Sequence, residues 1–385
     1  MSILFYDDSP VFGGHEVMSL AGVEAVLSSG EVGVDFILTE ANTVLRERVS
    51  ELAERFPSLR LHHVPWCSSK LEALRNRLKP ARIRILSEIL RDLSPSLVVA
   101  IQGNIEHSSL ALHASRAAGI RSASYIPVPH TNAEMGAKLG AIRDLFCRHL
   151  FHLPDHFITI SDEMAALLRE RGTRAPIHIV YNGIDTGRFQ QGDSMTARDS
   201  LNLPNDKTLV GVIGRIEFRQ KQQHLLVEAL AGDPKLRSSC HLVFAGEGPD
   251  RANLADIISR LDVSGTILPW CDPARVYQAM DALVIPSRYE GLPLVMLEAL
   301  ASGKSVLGSD RDGMKDLLPA ERRFQPGNPG ALRSALQRFV QDGKPPAPEA
   351  LVNRVRETMS MPAFRQAFSS TLLSLCPPDS RLQKG

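Results

Sequence analysis

The stretch Asp281-Ala-Leu-Val-Ile-Pro-Ser-Arg-Tyr-Glu-Gly-Leu-Pro-Leu-Val-Met-Leu-Glu-Ala-Leu-Ala-Ser-Gly303 reads as a strand, a turn and a helix in immediate succession. Ala282–Ile285 is short, apolar and closed by Pro286, the pattern of a parallel strand buried on both faces. Pro293 suits the first turn of a helix, where a missing N–H costs nothing. The backbone N–H groups across Gly291 to Leu294 then point out of a helix N-terminus, which is a ready anion site. Glu290 precedes that turn and Glu298 lies further along the helix, with seven residues between them. A carboxylate at Glu298 can accept hydrogen bonds from two neighbouring hydroxyls, so phosphate and ribose beside a strand end are the expected ligands. Glutamate is common at helix starts, and the spacing alone would not carry this reading. The strand–turn–helix context does.

Outward from this segment the chain alternates short apolar strands with amphipathic helices. The first half predicts strands at Ser2–Tyr6, Val34–Leu38, Leu59–Val64, Leu97–Ile101, Ala123–Val128, His156–Ile160 and Ile177–Val180. The second half predicts them at Leu209–Ile213, His241–Ala245, Thr266–Leu268, Ala282–Ile285 and Lys304–Gly308. Strict alternation argues for parallel sheets with right-handed crossovers. The fold class is therefore α/β, with two Rossmann-like doubly wound domains expected to face a central cleft. Asn-Gly in Tyr181-Asn-Gly-Ile-Asp-Thr-Gly187 marks the boundary, giving a first domain at 1–184 and a second at 185–358. Helical patterns at Glu349–Thr358 and Ala363–Leu375 follow the loop Asp342–Pro348, and residues 359–385 form a closing helix and tail.

At 385 residues the chain exceeds what one hydrophobic core organises. Its 43% hydrophobic and 23% charged composition is ordinary for a globular protein, and a net charge of +1 gives no argument for nucleic acid. Five scattered cysteines without C-x-x-C favour a reducing compartment. Ser2–Tyr6 runs into Asp7-Asp8 too soon for a signal peptide, and no apolar run approaches the ~20 residues that span a bilayer. A cytoplasmic location, peripheral on the inner face of the membrane at most, is expected.

A second anion-binding candidate is Gly211-Val-Ile-Gly-Arg-Ile-Glu-Phe-Arg-Gln-Lys221, in which an apolar strand ends at Gly214. Arg215 and Lys221 project from its loop, one a planar fork for phosphate oxygens and the other a mobile point charge. Together they can hold a diphosphate without a metal. Gly246, in Ala245-Gly-Glu-Gly-Pro249, permits close approach of backbone or ligand. Trp270 stands two residues beyond a strand end, placed to border a base or simply to pack.

In the first half, Val11-Phe-Gly-Gly-His15 follows the first strand, and Gly14 fits a backbone approaching phosphate. No G-x-G-x-x-G occurs, so a nicotinamide fingerprint is missing. His130 ends Tyr125-Ile-Pro-Val-Pro-His130 and can donate to a sugar hydroxyl or stabilise developing charge. His107 and Asn104, after the strand Leu97–Ile101, are its rivals. No G-x-S-x-G, H-E-x-x-H or Walker A sequence occurs, and Asp310-Arg-Asp312 reads as loop chemistry, so neither metal nor cofactor is expected. The segment 70–91 holds seven Lys or Arg against two Glu at helical spacing divided by Pro80. It fits an anionic membrane surface, and equally an ordinary charged outer face.

These residues together resemble the family 4 retaining glycosyltransferases of GT-B fold. The resemblance rests on Glu290 to Glu298 with Gly291 and Pro293, Gly214-Arg215 with Lys221, Gly246-Glu-Gly-Pro249, Val180-Tyr-Asn-Gly-Ile-Asp185 and Gly13-Gly14, and spans Gly13 to about Gly313. It implies a metal-independent hexosyl transfer from a UDP- or GDP-type nucleoside-diphosphate sugar to a hydroxyl of a glycan or lipid-linked acceptor. It implies that Arg215 and Lys221 bind the donor diphosphate, Glu298 the ribose hydroxyls and Glu290 the sugar. Gly291, Leu292, Pro293 and Leu294 would contribute backbone contacts, with Gly14 and His130 acting from the first domain. It implies a last helix that returns to the first domain. The chain departs from the pattern at Gln222, where the family has glycine, at Lys304, where proline is common, and in the Pro-Val-Pro surroundings of His130. A nucleotide-sugar epimerase or glycan phosphorylase, and a non-catalytic nucleotide-sugar-binding protein, are the alternatives on the same fold.

Overall fold

The computed structural model describes residues 1–377, so the end of the predicted tail, 378–385, lies outside the described residues. The chain divides into two compact units, Met1–Asn182 joined by the segment from Pro362 onward, and Gly183–Met361. Ile184 pairs in parallel with Ser360, its N–H donates to the Met359 carbonyl and its carbonyl accepts from Met361, which ties the 183–187 segment to the second unit.

The first unit holds a parallel sheet of seven strands: β1 (Ser2–Asp7), β2 (Gly33–Thr39), β3 (Leu59–Val64), β4 (Leu97–Ile101), β5 (Ser122–Tyr125), β6 (His156–Thr159) and β7 (Ile177–Ile179). Their order is β3-β2-β1-β4-β5-β6-β7, so the winding direction reverses between β1 and β4. Helices cover both faces, which is why Ile3 to Tyr6 and Leu97 to Ile101 are wholly buried runs rather than alternating ones. Helix Met361–Leu375 closes this unit. Its Phe368 ring meets the edge of Tyr125 and lies so close to Gly22 that a Cβ there would sit 2.5 Å from the ring. Arg365 pairs with Glu24 at 2.6 Å, and Arg121 donates to the Leu375 carbonyl.

The second unit holds β8 (Thr208–Ile213), β9 (Cys240–Ala245), β10 (Gly265–Leu268), β11 (Ala282–Ile285), β12 (Ser305–Ser309) and β13 (Arg323–Phe324), all parallel in the order β10-β9-β8-β11-β12-β13. Its direction reverses between β8 and β11. Both sheets are thus doubly wound, and ligands of such sheets bind beyond the carboxyl ends of the strands at the reversal.

Local expectations change at β5 and β13, while the division of the basic segment at Pro80 holds. β5 ends at Tyr125 rather than Val128, because Pro127 and Pro129 have no N–H to give a ladder. The basic segment is two helices, Glu72–Leu78 and Pro80–Leu93, broken at Lys79 where Pro80 begins the second. Its charges are partly committed: Arg82 is buried against Glu72 and lies over Trp66, and Arg75 donates to the Cys67 carbonyl. β13 is too short to show a pattern. No helix among the described residues is long and apolar enough to cross a membrane.

Candidate functional site

In the second unit the loops after β8, β9, β11 and β12 gather at the β8/β11 reversal. The first two are built on each other. Gly214 takes φ +127 and donates to the Ala245 carbonyl, while Ile216 donates to the Glu247 carbonyl. Gly246 takes φ +150, and a Cβ there would sit 2.1 Å from the Gly214 carbonyl oxygen. The Gly246 loop therefore templates the Arg215 loop by backbone contact, a role that donor binding by Gly246 did not anticipate. Gln223 donates to the Arg215 carbonyl at 2.8 Å. Gln222, at the resemblance's glycine position, takes the left-handed φ of +50. The Arg215 side chain is 65% exposed, held only loosely by Glu217 at 3.7 Å.

Lys221 does not stand apart with Arg215. Its ammonium lies 2.6 Å from Glu290 Oε1, so a residue assigned to phosphate and one assigned to sugar are already joined. The Glu290 N–H donates to Asp312 at 2.8 Å, and the Gly313 N–H donates to the Gly291 carbonyl at 2.9 Å. Helix Leu294–Ala301 begins just after Pro293, which serves as its N-cap with extended ψ rather than in its first turn.

Glu298, on that helix, accepts a hydrogen bond from the Tyr277 hydroxyl at 2.7 Å. Burial pushes its carboxyl up from the ordinary value, against the Tyr277 bond and the Arg188 charge, which act downward. Tyr277 is itself driven well up, by burial first and then by Glu298. Phe189 packs edge-on against Tyr277, and Arg188 bonds Asp272 at 2.8 Å. One Glu298 oxygen is thus engaged before any ligand arrives. Trp270 is 84% exposed, so packing is not its role. Lys304 donates to the Gln278 carbonyl, a structural contact.

In the first unit Gly14 opens helix Gly14–Ser29, and a Cβ there would meet nothing within 4 Å. Glu16 accepts from the Gly13 N–H at 2.6 Å, and its other oxygen lies 2.8 Å from His15. Burial acts upward on Glu16, but the His15 bond and charge and the Gly13 N–H hold it below the usual carboxylate range. Beside it, burial and then the Glu16 charge raise Asp7 well above that range. His15 lies over Gly103, whose Cβ would fall 2.6 Å from the ring. His107 is lowered to about 4 by burial and the nearby His15, and contacts Asn104 at 3.2 Å. His130 is 1% exposed, at the end of the loop after β5.

Of the residues that the sequence assigns to a donor site, the structure joins Lys221 to Glu290 directly, carries Gly291 to Leu294 and Glu298 on the turn and helix that follow, and leaves Arg215 exposed on the loop after β8. Sequence reasoning missed Tyr277, Arg188 and Gln223, for which no spacing signal exists, and passed over Glu16, three residues after the helix N-cap Gly13, and Asp312, whose D-x-D context was visible.

Residues 33–188 match the family model described as Glycosyltransferase Family 4, and residues 193–370 match that of Glycosyl transferases group 1. The chain is 35% identical over 171 residues to the D-inositol 3-phosphate glycosyltransferase of Actinosynnema mirum, covering 39% of this chain and 41% of that one. It is 31% identical over 186 residues to the lipopolysaccharide core biosynthesis mannosyltransferase LpsB of Rhizobium meliloti, covering 44% and 50%. The chain therefore spans about half the length of these relatives, or less. Among solved structures, Anabaena HepE in complex with UDP superposes with a TM-score of 0.77 at 18% identity, covering 97% of this chain and 100% of that one.

Proposed function

We propose, from the premise that this chain belongs to the family 4 glycosyltransferases of GT-B fold, that the protein moves a sugar from a nucleoside-diphosphate donor to a hydroxyl of a glycan or lipid-linked acceptor with retention of configuration. The observation that carries this is the meeting of Lys221 with Glu290 on the turn that opens the helix bearing Glu298. An ammonium has three donors, so Lys221 can keep Glu290 and also hold a diphosphate oxygen. Exposed Arg215 supplies a bidentate fork to the same group. The remaining Glu290 oxygen is the acceptor for a sugar hydroxyl, and Glu298 takes a ribose hydroxyl on the oxygen Tyr277 does not use.

As the bond from the anomeric carbon to the diphosphate oxygen breaks, negative charge grows on the diphosphate. Arg215, Lys221 and the N–H groups of the Gly291–Leu294 turn stabilise it without a metal. The acceptor oxygen bonds to the anomeric carbon on the face the diphosphate leaves, and its proton passes to the departing phosphate oxygen. His130 and Gly14 are assigned to the sugar and the diphosphate on the strength of the resemblance. The UDP-bound relative makes UDP sugars the first donors to test, with GDP sugars second.

The protein should be incubated with UDP and GDP sugars and a panel of glycan and lipid-linked acceptors, and the product anomer read by NMR. The expected result is an α-linked product from an α-donor, with one nucleoside diphosphate released per transfer. An inverted anomer, an epimerised sugar nucleotide, phosphate-dependent glycan cleavage, or binding with no turnover would overturn this reading.

We further propose surface polysaccharide or glycolipid synthesis at the inner membrane face, supported by one side of the first unit. Lys70, Arg77, Lys79 and Arg84 are exposed on the same stretch as exposed Leu78 and Ile85. Helix Gly140–Cys147, which shares a core with the 72–78 helix through Ala73 and Cys147, adds exposed Leu139, Ile142 and Leu145. Exposed apolar side chains together with exposed cations suit an anionic bilayer. Vesicle sedimentation should show binding that depends on anionic lipid and falls in Ile142→Asp/Leu145→Asp. Equal partitioning onto neutral vesicles contradicts it.

A further inference from the structure

Asp312 takes φ +51 and ψ −150, a backbone region that glycine occupies freely and that any Cβ makes costly. The residue is only 7% exposed. Its carboxylate accepts the Glu290 N–H at 2.8 Å and the Arg311 Nε–H at 2.9 Å. Its neighbour Gly313 donates to the Gly291 carbonyl, and a Cβ on Gly313 would sit 2.4 Å from that oxygen. The loop after β12 is thereby fastened to the loop after β11 on both sides of the Glu290–Gly291 peptide. Asp310 takes no part, since it pairs with Arg323 at 2.6 Å, so the two carboxylates of the D-x-D sequence serve separate contacts.

We infer that Asp312 is a positioning residue for the transfer reaction, holding the Glu290 backbone so that its carboxylate meets both Lys221 and the donor sugar. Glycine would satisfy the backbone at this position, so the side chain is there for what its carboxylate holds. The same bond occupies the Glu290 N–H, and the N–H groups that can serve a donor phosphate therefore begin at Gly291. The inference rests on the reading of Glu290 as the sugar-binding carboxylate, and it assigns Asp312 to the sugar rather than to the diphosphate.

The test compares wild type, D312G and D312N, using the sugar nucleotide the wild type turns over and the bare nucleoside diphosphate as control. D312G relieves the backbone and loses the hold, so its thermal midpoint should equal or exceed that of wild type. Its kcat/KM should nonetheless fall by about tenfold to a hundredfold, mostly in kcat. D312N keeps an accepting oxygen and should recover activity to within about threefold of wild type. Bare nucleoside-diphosphate affinity should be the same in all three. A D312G protein that matches wild type in turnover overturns the inference, as does one that fails to fold or loses nucleoside-diphosphate binding in parallel with activity. D312N as impaired as D312G also overturns it. A wild type that turns over no sugar nucleotide defeats the glycosyltransferase reading itself, a separate outcome.

Discussion

The Lys221 ammonium lies 2.6 Å from Glu290 Oε1 and joins the loop after β8 to the loop after β11 across the reversal point of the second sheet. Glu290 is buried and Lys221 largely so, which makes the pair sensitive to losing one partner. Lys221→Met leaves a carboxylate in a desolvated position and should cost about 1–3 kcal/mol in urea unfolding. Lys221→Met/Glu290→Gln should recover most of that stability while remaining inactive. A double variant as unstable as the sum of the singles would show that the two side chains do not interact.

Gly246 approaches the Gly214 carbonyl too closely for a side chain. Gly246→Ala should lower stability by about 1–3 kcal/mol, since both the φ and the space forbid a Cβ. Its donor affinity should fall with the displaced Arg215 loop. Gly14→Ala, where a Cβ meets nothing, should leave stability within about 0.5 kcal/mol. Equal urea midpoints for Gly246→Ala and wild type would refute the templating role.

Burial raises the Glu298 carboxyl above its ordinary 4.5, so the folded protein holds this proton more tightly than the unfolded chain does. The stability contribution from this group is full below the unfolded value and lost as pH rises through the raised folded one. Glu298→Gln should flatten that share of the decline as pH rises above the ordinary 4.5, while weakening ribose binding. Parallel stability curves for the two proteins would contradict the assignment.

Trp270 stands almost wholly exposed, so Trp270→Ala should leave the thermal midpoint essentially unchanged. If the indole stacks on the donor base, nucleotide affinity should fall by about 1–3 kcal/mol, measured by calorimetry. Unchanged affinity would remove Trp270 from the donor site.

The fold was legible because parallel strands covered on both faces leave unbroken apolar runs, and Leu97–Ile101 and Ala282–Ile285 form strands with the predicted limits, as does the more polar edge strand Leu59–Val64. Val128 was assigned to a strand on hydrophobicity, although prolines on either side remove the hydrogen-bond donors. The donor loops were legible because Arg215, Lys221, Glu290 and Glu298 sit next to strand ends in the chain. Tyr277 and Arg188 reach Glu298 only through the tertiary fold, from 21 residues away in the hydroxyl's case, so no local pattern marks them. Asp312 resembled loop chemistry because its carboxylate meets the Glu290 N–H, 22 residues away in the chain, only through the tertiary fold.

The most direct measurement of the central claim is titration of a UDP or GDP sugar into wild type, Arg215→Ala and Glu298→Ala by isothermal calorimetry. Saturable binding to wild type, weakened about tenfold or more in each variant, is predicted from the loss of a charge-assisted contact to diphosphate or ribose. Equal affinity in all three proteins would place the donor elsewhere and contradict the account.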